Sequence, residues 1–244
     1  MKTLIIIPSR LAATRLPGKP LLKINGLSII SHVFKKAETA KIGDVLVATE
    51  NQEIVDDVKK NGGQAVLTSN KHNTGTDRIY EALKKTEISN IDLVMNLQGD
   101  EPLIDVDDIR NLNQHMINSN SRIGTLASKI FDKKLYDNQS AVKVKTRVEL
   151  NHNNFPEAIY FKRKTLKKDL NLYHHVGIYC YEIDTLKDFV SYKQSSYETK
   201  YKLEQLRALE NKININVALA KSHSIGIDTK EDFMAIKKIM EYKT

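Results

Sequence analysis

The chain has 244 residues, 41% of them hydrophobic, with 38 Lys and Arg against 30 Asp and Glu, a formal charge of +8 and one cysteine. This suits an α/β domain with a sizeable core, and it excludes a disulfide-built or low-complexity chain and a protein spanning the bilayer through a run of roughly 20 apolar residues. The positive excess is scattered as lysine pairs such as Lys35-Lys36, Lys59-Lys60, Lys84-Lys85 and Lys237-Lys238, with no block of five, so it reads as solvated helix surface rather than a nucleic-acid face.

In chain order, Leu4–Pro8 is the first predicted strand. Its Ile5-Ile6-Ile7 run is too short for a leader core and lacks a small-residue cleavage site after it, and lone Cys180 fits a reducing compartment. A cytoplasmic location is therefore expected. A helix is predicted over Ser28–Ala40 with Ser28 as cap, then a strand at Asp44–Thr49, a helix over Glu53–Asn61 stopped by Gly62-Gly63, and a strand at Gln64–Thr68. A helix over Thr76–Thr86 and a strand at Ile91–Leu97 complete a pattern of continuous apolar strands separated by helices, the signature of a covered parallel sheet.

The second half is more mixed. Asp107–Asn118 is predicted helical, Gly124–Ile130, Ala141–Lys145, Ala158–Phe161, His175–Tyr181 and Ile213–Ala220 as strands, and Lys202–Glu210 and Thr229–Tyr242 as helices. Lys162–Leu172 is expected to be a mobile lysine-rich loop. The expectation is a single α/β domain, 1–244, with a mixed sheet and a small antiparallel extension. Its nucleotide half would run to about residue 120, and residues 121–244 would serve sugar binding and dimerisation.

Chemistry concentrates at strand ends. After the first strand comes a polar loop with Arg10, Arg15 and Lys19, and in such sheets ligands bind beyond the carboxyl ends of the strands. Guanidiniums grip phosphate oxygens as a bidentate fork, so this loop suits a polyphosphate, although it is neither a Walker A nor a GxGxxG sequence. The fourth strand runs into Gln98-Gly99-Asp100, where a hard carboxylate beside phosphates would seat Mg²⁺, or where the run is simply an acidic turn. Asp228, before the last helix, is either a second metal carboxylate or that helix's N-cap. Ser69–Arg78 opens a helix, as an anion site or merely as a capped start. His174 and His175 are neighbours on a strand and so face opposite ways, which disfavours zinc and leaves His175 as a hydrogen-bonding group. Arg10, Arg15 and Arg78 fall in these segments, and Arg163 and Arg207 in the runs Tyr160–Arg163 and Leu203–Glu210, which makes five of the eight arginines.

Taken in order, the segments resemble the 3-deoxy-manno-octulosonate (Kdo) cytidylyltransferases. The resemblance is carried by Arg10…Arg15-Leu16-Pro17-Gly18-Lys19-Pro20-Leu21, Thr74-Gly75-Thr76-Asp77-Arg78, Asn96-Leu97-Gln98-Gly99-Asp100-Glu101-Pro102, Tyr160-Phe161-Lys162-Arg163, His175-Val176-Gly177-Ile178-Tyr179, Leu203-Glu204-Gln205-Leu206-Arg207-Ala208-Leu209-Glu210 and Asp228-Thr229. It implies a Rossmann-like (GT-A-like) nucleotidyltransferase fold and a homodimer. The implied reaction is CTP plus Kdo giving CMP-Kdo and diphosphate, for lipopolysaccharide biosynthesis, with Mg²⁺ as cofactor and no nucleic-acid or membrane partner. By the same resemblance Arg10, Lys19, Asp100 and Asp228 are catalytic, with Asp100 and Asp228 holding the metal. Pro8, Ser9, Arg10, Lys19, Ser69, Thr74, Gly75, Thr76, Gln98 and Asp100 bind CTP. Arg78, Gln98, Tyr160, Arg163, His175, Tyr179, Glu204 and Gln205 bind the sugar. Ser9, Lys162, Thr165-Leu166 and His174 depart from the family's usual residues. Activation of an 8-amino analogue or of a sialic acid is the nearest rival, and a basic nucleic-acid-binding protein is the rival from another class.

Overall fold

The structure is a computed structural model that describes residues 1–12, 15–132, 134–164, 170–221 and 226–242. The chain forms two compact units, one of Lys2–Ile109 with Ser224–Thr244, the other of Arg110–His223 with Met1. The boundary falls about ten residues before the expected one, and the C-terminal helix belongs to the N-terminal unit rather than to the second half.

The first unit opens with β1 (Thr3–Ser9), whose Leu4–Ile7 stretch is fully buried. A small hairpin, β2 (Lys23–Ile24) and β3 (Leu27–Ser28), turns at Asn25-Gly26, both with positive φ. Asn-Gly is a strong hairpin signal that the sequence reading passed over. Ser28 caps α1 (Ile29–Ala40) as expected, its Oγ accepting from the Ser31 amide at 3.2 Å. Then come β4 (Gly43–Thr49), α2 (Gln52–Lys60), β5 (Ala65–Leu67), α3 (Gly75–Lys85) and β6 (Leu93–Asn96). The strands lie in the order β6-β1-β4-β5, every pair parallel. Their carboxyl ends therefore open on one edge.

Helix α4 (Val106–Asn118) begins in the first unit and continues into the second. The second unit holds β7 (Ile123–Ser128), α5 (Lys134–Asp137), β8 (Lys143–Thr146), β9 (Ala158–Lys162), β10 (Leu172–Glu182), α6 (Ile183–Ser191), α7 (Ser196–Tyr201), α8 (Leu206–Glu210) and β11 (Ile215–Leu219). Strand order is β11-β7-β10-β8-β9; β11 runs parallel to β7 and the other pairs are antiparallel. Of the helix expected over Lys202–Glu210, only Leu206–Glu210 is helical, and a separate helix, α7, precedes that span. Ser195 and Glu198 form a capping box that starts α7, Lys202 at φ 53 ends it, and α8 begins only at Leu206. Of the expected loop 162–172, Lys162 closes β9 and Leu172 opens β10, while residues 165–169, including Thr165-Leu166, lie outside the described residues.

The chain returns to the first unit as α9 (Lys230–Tyr242). Ile227 and Ile236 complete a buried cluster with Ile24 and Ile29, packed by Leu16, Leu22, Leu103, Phe233 and Met240. Removing these side chains from water is what brings the C-terminal segment onto the hairpin, at about 1.5–3 kcal/mol per buried aliphatic side chain. No described helix is long and apolar enough to cross a membrane.

Candidate active site

Because β1 and β6 are parallel neighbours, Pro8, Ser9 and Arg10 emerge beside Gln98, Gly99 and Asp100. Gly99 allows the approach: a Cβ there would sit 3.0 Å from the Pro8 carbonyl and 3.1 Å from Ile30 Cδ1. With Lys19, Asp228 and the start of α3 at Thr74 and Gly75, these residues line a cavity of about 380 Å³ within the first unit.

The cationic loop is held by backbone bonds. Leu11 donates its amide to Asn51 Oδ1 at 2.9 Å and accepts from the Gly18 amide at 3.2 Å. Gly18 sits at φ 69, a left-handed conformation that costs glycine nothing, and it starts the single 3₁₀ turn carrying Lys19. Lys19 Nζ lies 2.7 Å from Asp100 Oδ2 and 3.5 Å from Asp228 Oδ1, and its side chain is only 13% exposed. Arg15 Nη2 lies 3.0 Å from Asp228 Oδ2, a half-exposed and hence weak pair. Arg10 is exposed, and the described residues give its guanidinium no partner, which leaves the fork available to an anion.

The segment 69–78 resolves into caps and anchors. Thr74 caps α3 in a reciprocal box with Asp77, each side chain accepting the other's amide at 3.2 Å. Arg78, expected on the sugar side, is 4% exposed: its guanidinium pairs with Glu50, donates to Thr68 Oγ1 at 2.7 Å and to the Ser69 carbonyl at 3.4 Å. It lines the cavity as the anchor of its wall. Glu81 accepts the Ser69 amide on both oxygens, at 3.2 and 3.0 Å, and also pairs with His72 and Lys85. Burial alone would raise the Glu81 pKa, but these hydrogen bonds outweigh it and bring it to about 2. Two of the expected CTP residues do not line the cavity: Ser69, whose amide is held by Glu81 and whose Oγ accepts the Lys71 amide, and Thr76, buried in α3 at 1% exposure.

At Asp228 the capping alternative is taken over by its neighbour. Thr229 caps α9: its Oγ1 accepts the Asp232 amide at 3.1 Å, while Asp232 Oδ2 accepts the amides of Thr229 at 2.8 Å and Asp228 at 3.1 Å. The Asp228 carboxylate is thereby spared for Lys19 and Arg15. The Ile227 amide bonds the Asp100 carbonyl at 2.9 Å, which fixes the two acidic segments side by side.

The remaining sugar-side residues lie in the second unit, in two groups. Tyr160 and Arg163 line an apolar cleft of about 610 Å³ with Ile159, Tyr197, Tyr201 and Leu206. There Lys162 Nζ sits 4.4 Å over the Tyr160 ring, and the Arg163 guanidinium donates to the carbonyls of Ser140 at 3.0 Å, Gln139 at 3.3 Å and Lys202 at 3.4 Å. His175 packs at 5.4 Å from Tyr179 and edge-on at 5.2 Å from Phe161. Desolvation pushes the His175 pKa down to about 3, so the ring is neutral. Burial raises the Tyr179 pKa, Tyr181 and then Glu204 add to it, and an interaction with Thr125 opposes it. Gln205 is buried beside Glu204, and Arg207, in the same motif, is a bidentate partner of Glu198 at 2.8 and 2.6 Å rather than a substrate group.

The family model for cytidylyltransferases matches residues 4–215. A 3-deoxy-manno-octulosonate cytidylyltransferase of Rhodopseudomonas palustris is 42% identical over 243 residues, 99% of this chain and 98% of that protein. One of Afipia carboxidovorans is 43% identical over 240 residues, covering 98% and 96%. The chain belongs to the 3-deoxy-manno-octulosonate cytidylyltransferase family. The fold agrees: a solved CMP:2-keto-3-deoxy-manno-octonic acid synthetase complexed with CTP superposes with a TM-score of 0.90 at 34% identity over the full length of both chains. The chain is thus a nucleotidyltransferase.

This cytidylyltransferase offers Asp100 and Asp228 to a cation, and Mg²⁺ is commonly held by one or two carboxylates plus substrate phosphates. Among the described residues no group of three or more His, Cys, Asp and Glu is gathered. The pair still fits Mg²⁺, because a divalent ion that keeps waters and phosphate oxygens needs no all-protein cage. Sequence reasoning missed Asn51, Glu50 and Glu81, which hold the cavity walls. The signal for the first two was their place directly after the apolar strand ending at Thr49.

Proposed function

We propose that the chain transfers the cytidylyl group of CTP to the anomeric hydroxyl of Kdo, releasing diphosphate, as a cytoplasmic homodimer supplying the sugar nucleotide for lipopolysaccharide assembly. The observation that carries the reading is Lys19, bonded to Asp100 and close to Asp228, beside Arg10, whose guanidinium has no partner among the described residues. The hydroxyl oxygen bonds to the α-phosphorus, the bond to the β-phosphate oxygen breaks, diphosphate leaves, and the hydroxyl proton passes to water. Such transfer is mostly positioning and charge neutralisation. Arg10 and Lys19 grip the triphosphate, and the start of α3 with Pro8 and Ser9 borders the cytidine. Asp100 and Asp228 would hold Mg²⁺, which when bound neutralises phosphate charge and lowers the pKa of a ligated hydroxyl. His175, Tyr179, Glu204 and Gln205 bind the sugar. Exposed Ile159, Tyr197 and Tyr201 around the apolar cleft support a second copy as partner.

The test is diphosphate release from CTP with Mg²⁺ and a panel of acidic sugars. Release is expected with Kdo or its close 8-amino analogue and with no other sugar. Equal rates with sialic acid, or none with any member of the panel, overturns the assignment.

A further inference from the structure

Strand β10 carries a bulge against β7: Val176 faces Leu126, yet Thr125 faces Tyr179. Thr125 is fully buried under this irregularity. Its Oγ1 lies 2.7 Å from the Ile178 carbonyl, 3.4 Å from the Val176 carbonyl and 3.1 Å from His175 Nε2. A hydroxyl has one proton to give and lone pairs to receive. Both carbonyls can only accept, so the Thr125 proton belongs to them, and chiefly to Ile178 at the shorter distance. Thr125 Oγ1 can then meet His175 only as an acceptor, which requires the proton of a neutral ring to sit on Nε2. The other ring nitrogen, Nδ1, makes no hydrogen bond among the described residues, and the residue as a whole is half-buried. Close by, 5.4 Å ring to ring, is Tyr179, whose hydroxyl is buried and also interacts with Thr125.

We infer that Thr125 is a positioning residue that locks His175 in the Nε2–H tautomer and so presents Nδ1 to a hydroxyl of the sugar as an acceptor. The inference rests on the sugar-side assignment of His175 made above. It adds a direction to that contact: the sugar must donate to His175, so a sugar whose corresponding oxygen carries no proton is refused, because the lone pair would be left facing another lone pair. The low His175 pKa keeps the ring neutral at working pH, and only in a neutral ring does the choice of nitrogen matter.

The experiment is ¹⁵N–¹H correlation of the imidazole nitrogens in the intact protein, with kinetics of Thr125→Val and Thr125→Ser. Wild-type His175 should show the neutral Nε2–H pattern between pH 6 and 8. Thr125→Val should give a mixed or inverted pattern and raise the KM for Kdo roughly three- to tenfold, the worth of one misdirected hydrogen bond, with the KM for CTP unchanged. Thr125→Ser, which keeps the hydroxyl, should restore both. A Nδ1–H or doubly protonated wild-type ring overturns the proposal without any variant, so a Thr125→Val that fails to fold does not shield it. A tautomer that shifts while the KM for Kdo stays fixed also overturns it. If no acidic sugar is turned over at all, the functional reading fails, and the wild-type spectrum still decides the tautomer.

Discussion

The Ile227 amide and the Asp100 carbonyl are joined by a 2.9 Å hydrogen bond across more than half the chain. It sets Asp228 beside Asp100 with Lys19 between them, and the reciprocal bonds of Thr229 and Asp232 relieve Asp228 of any capping duty. Stability and activity should therefore separate at adjacent positions. Asp228→Asn is expected to lower turnover by orders of magnitude and leave the melting temperature unchanged. Thr229→Ala should cost about 1 kcal/mol of stability, the usual loss of an N-cap. Thermal melts and diphosphate release on both variants check this, and a melting loss confined to Asp228→Asn would return that residue to the role of cap.

Gly18 offers a backbone test of the same site. At φ 69 with nothing within 4 Å of a would-be Cβ, an alanine there meets no clash and is penalised only through its conformation, by about 1 kcal/mol. The penalty falls on the turn that aims Lys19. Gly18→Ala should raise the KM for CTP several-fold while the KM for the sugar stays near wild type. An unchanged CTP KM would show that the turn does not govern the lysine.

Two groups make the fold sensitive to acid, in windows that overlap below pH 4.5. His175 has its pKa lowered from 6.5 to about 3, so below pH 6.5 the unfolded chain takes a proton that the folded chain refuses, and stability falls as pH drops from 6.5 toward 3. Glu81, lowered from 4.5 to about 2, contributes stability above pH 4.5 that is lost between 4.5 and 2. Urea unfolding of wild type and His175→Gln at a series of pH values should show the two stability curves converging as pH falls from 6.5 to 5. A constant gap between them would mean that the histidine titrates normally.

Much of the first unit was legible because its signals are local. Ile5-Ile6-Ile7, Val45-Leu46-Val47 and Val94-Met95 are continuous apolar runs that only a covered strand accommodates, and β1, β4 and β6 lie within two residues of the predicted bounds. The cavity followed from strand ends, so Arg10, Lys19 and Asp100 were found together. The residues that stabilise it were not legible. Glu50, Asn51 and Glu81 look like ordinary surface polar residues until the fold brings Arg78, Leu11 and Ser69 to them. Thr229 was overlooked for the opposite reason, since two consecutive good capping residues, Asp228 and Thr229, leave the choice to tertiary contacts. In the second unit the mixed strand directions and the single-turn break at Lys202 carry no periodic signal.

Arg207 shows how a motif can be recognised before its role is visible. In sequence it belongs with Glu204 and Gln205, but in the fold it is 2% exposed, forked on Glu198 at 2.8 and 2.6 Å, and lies 4.6 Å over the Phe189 ring. Glu198 Oε2 also accepts the Ser195 amide at 3.0 Å, so the pair ties the start of α7 to α8. Removing one member leaves the other charged and dry, a loss of about 3–5 kcal/mol. Arg207→Met should therefore destabilise the protein by that order, and Arg207→Lys should rescue little, because an ammonium cannot fork a carboxylate. The joint variant Arg207→Met with Glu198→Leu should regain most of the stability, since no uncompensated charge is then buried. Chemical denaturation of the three variants decides the matter, and a single variant as stable as wild type would show that the pair is hydrated.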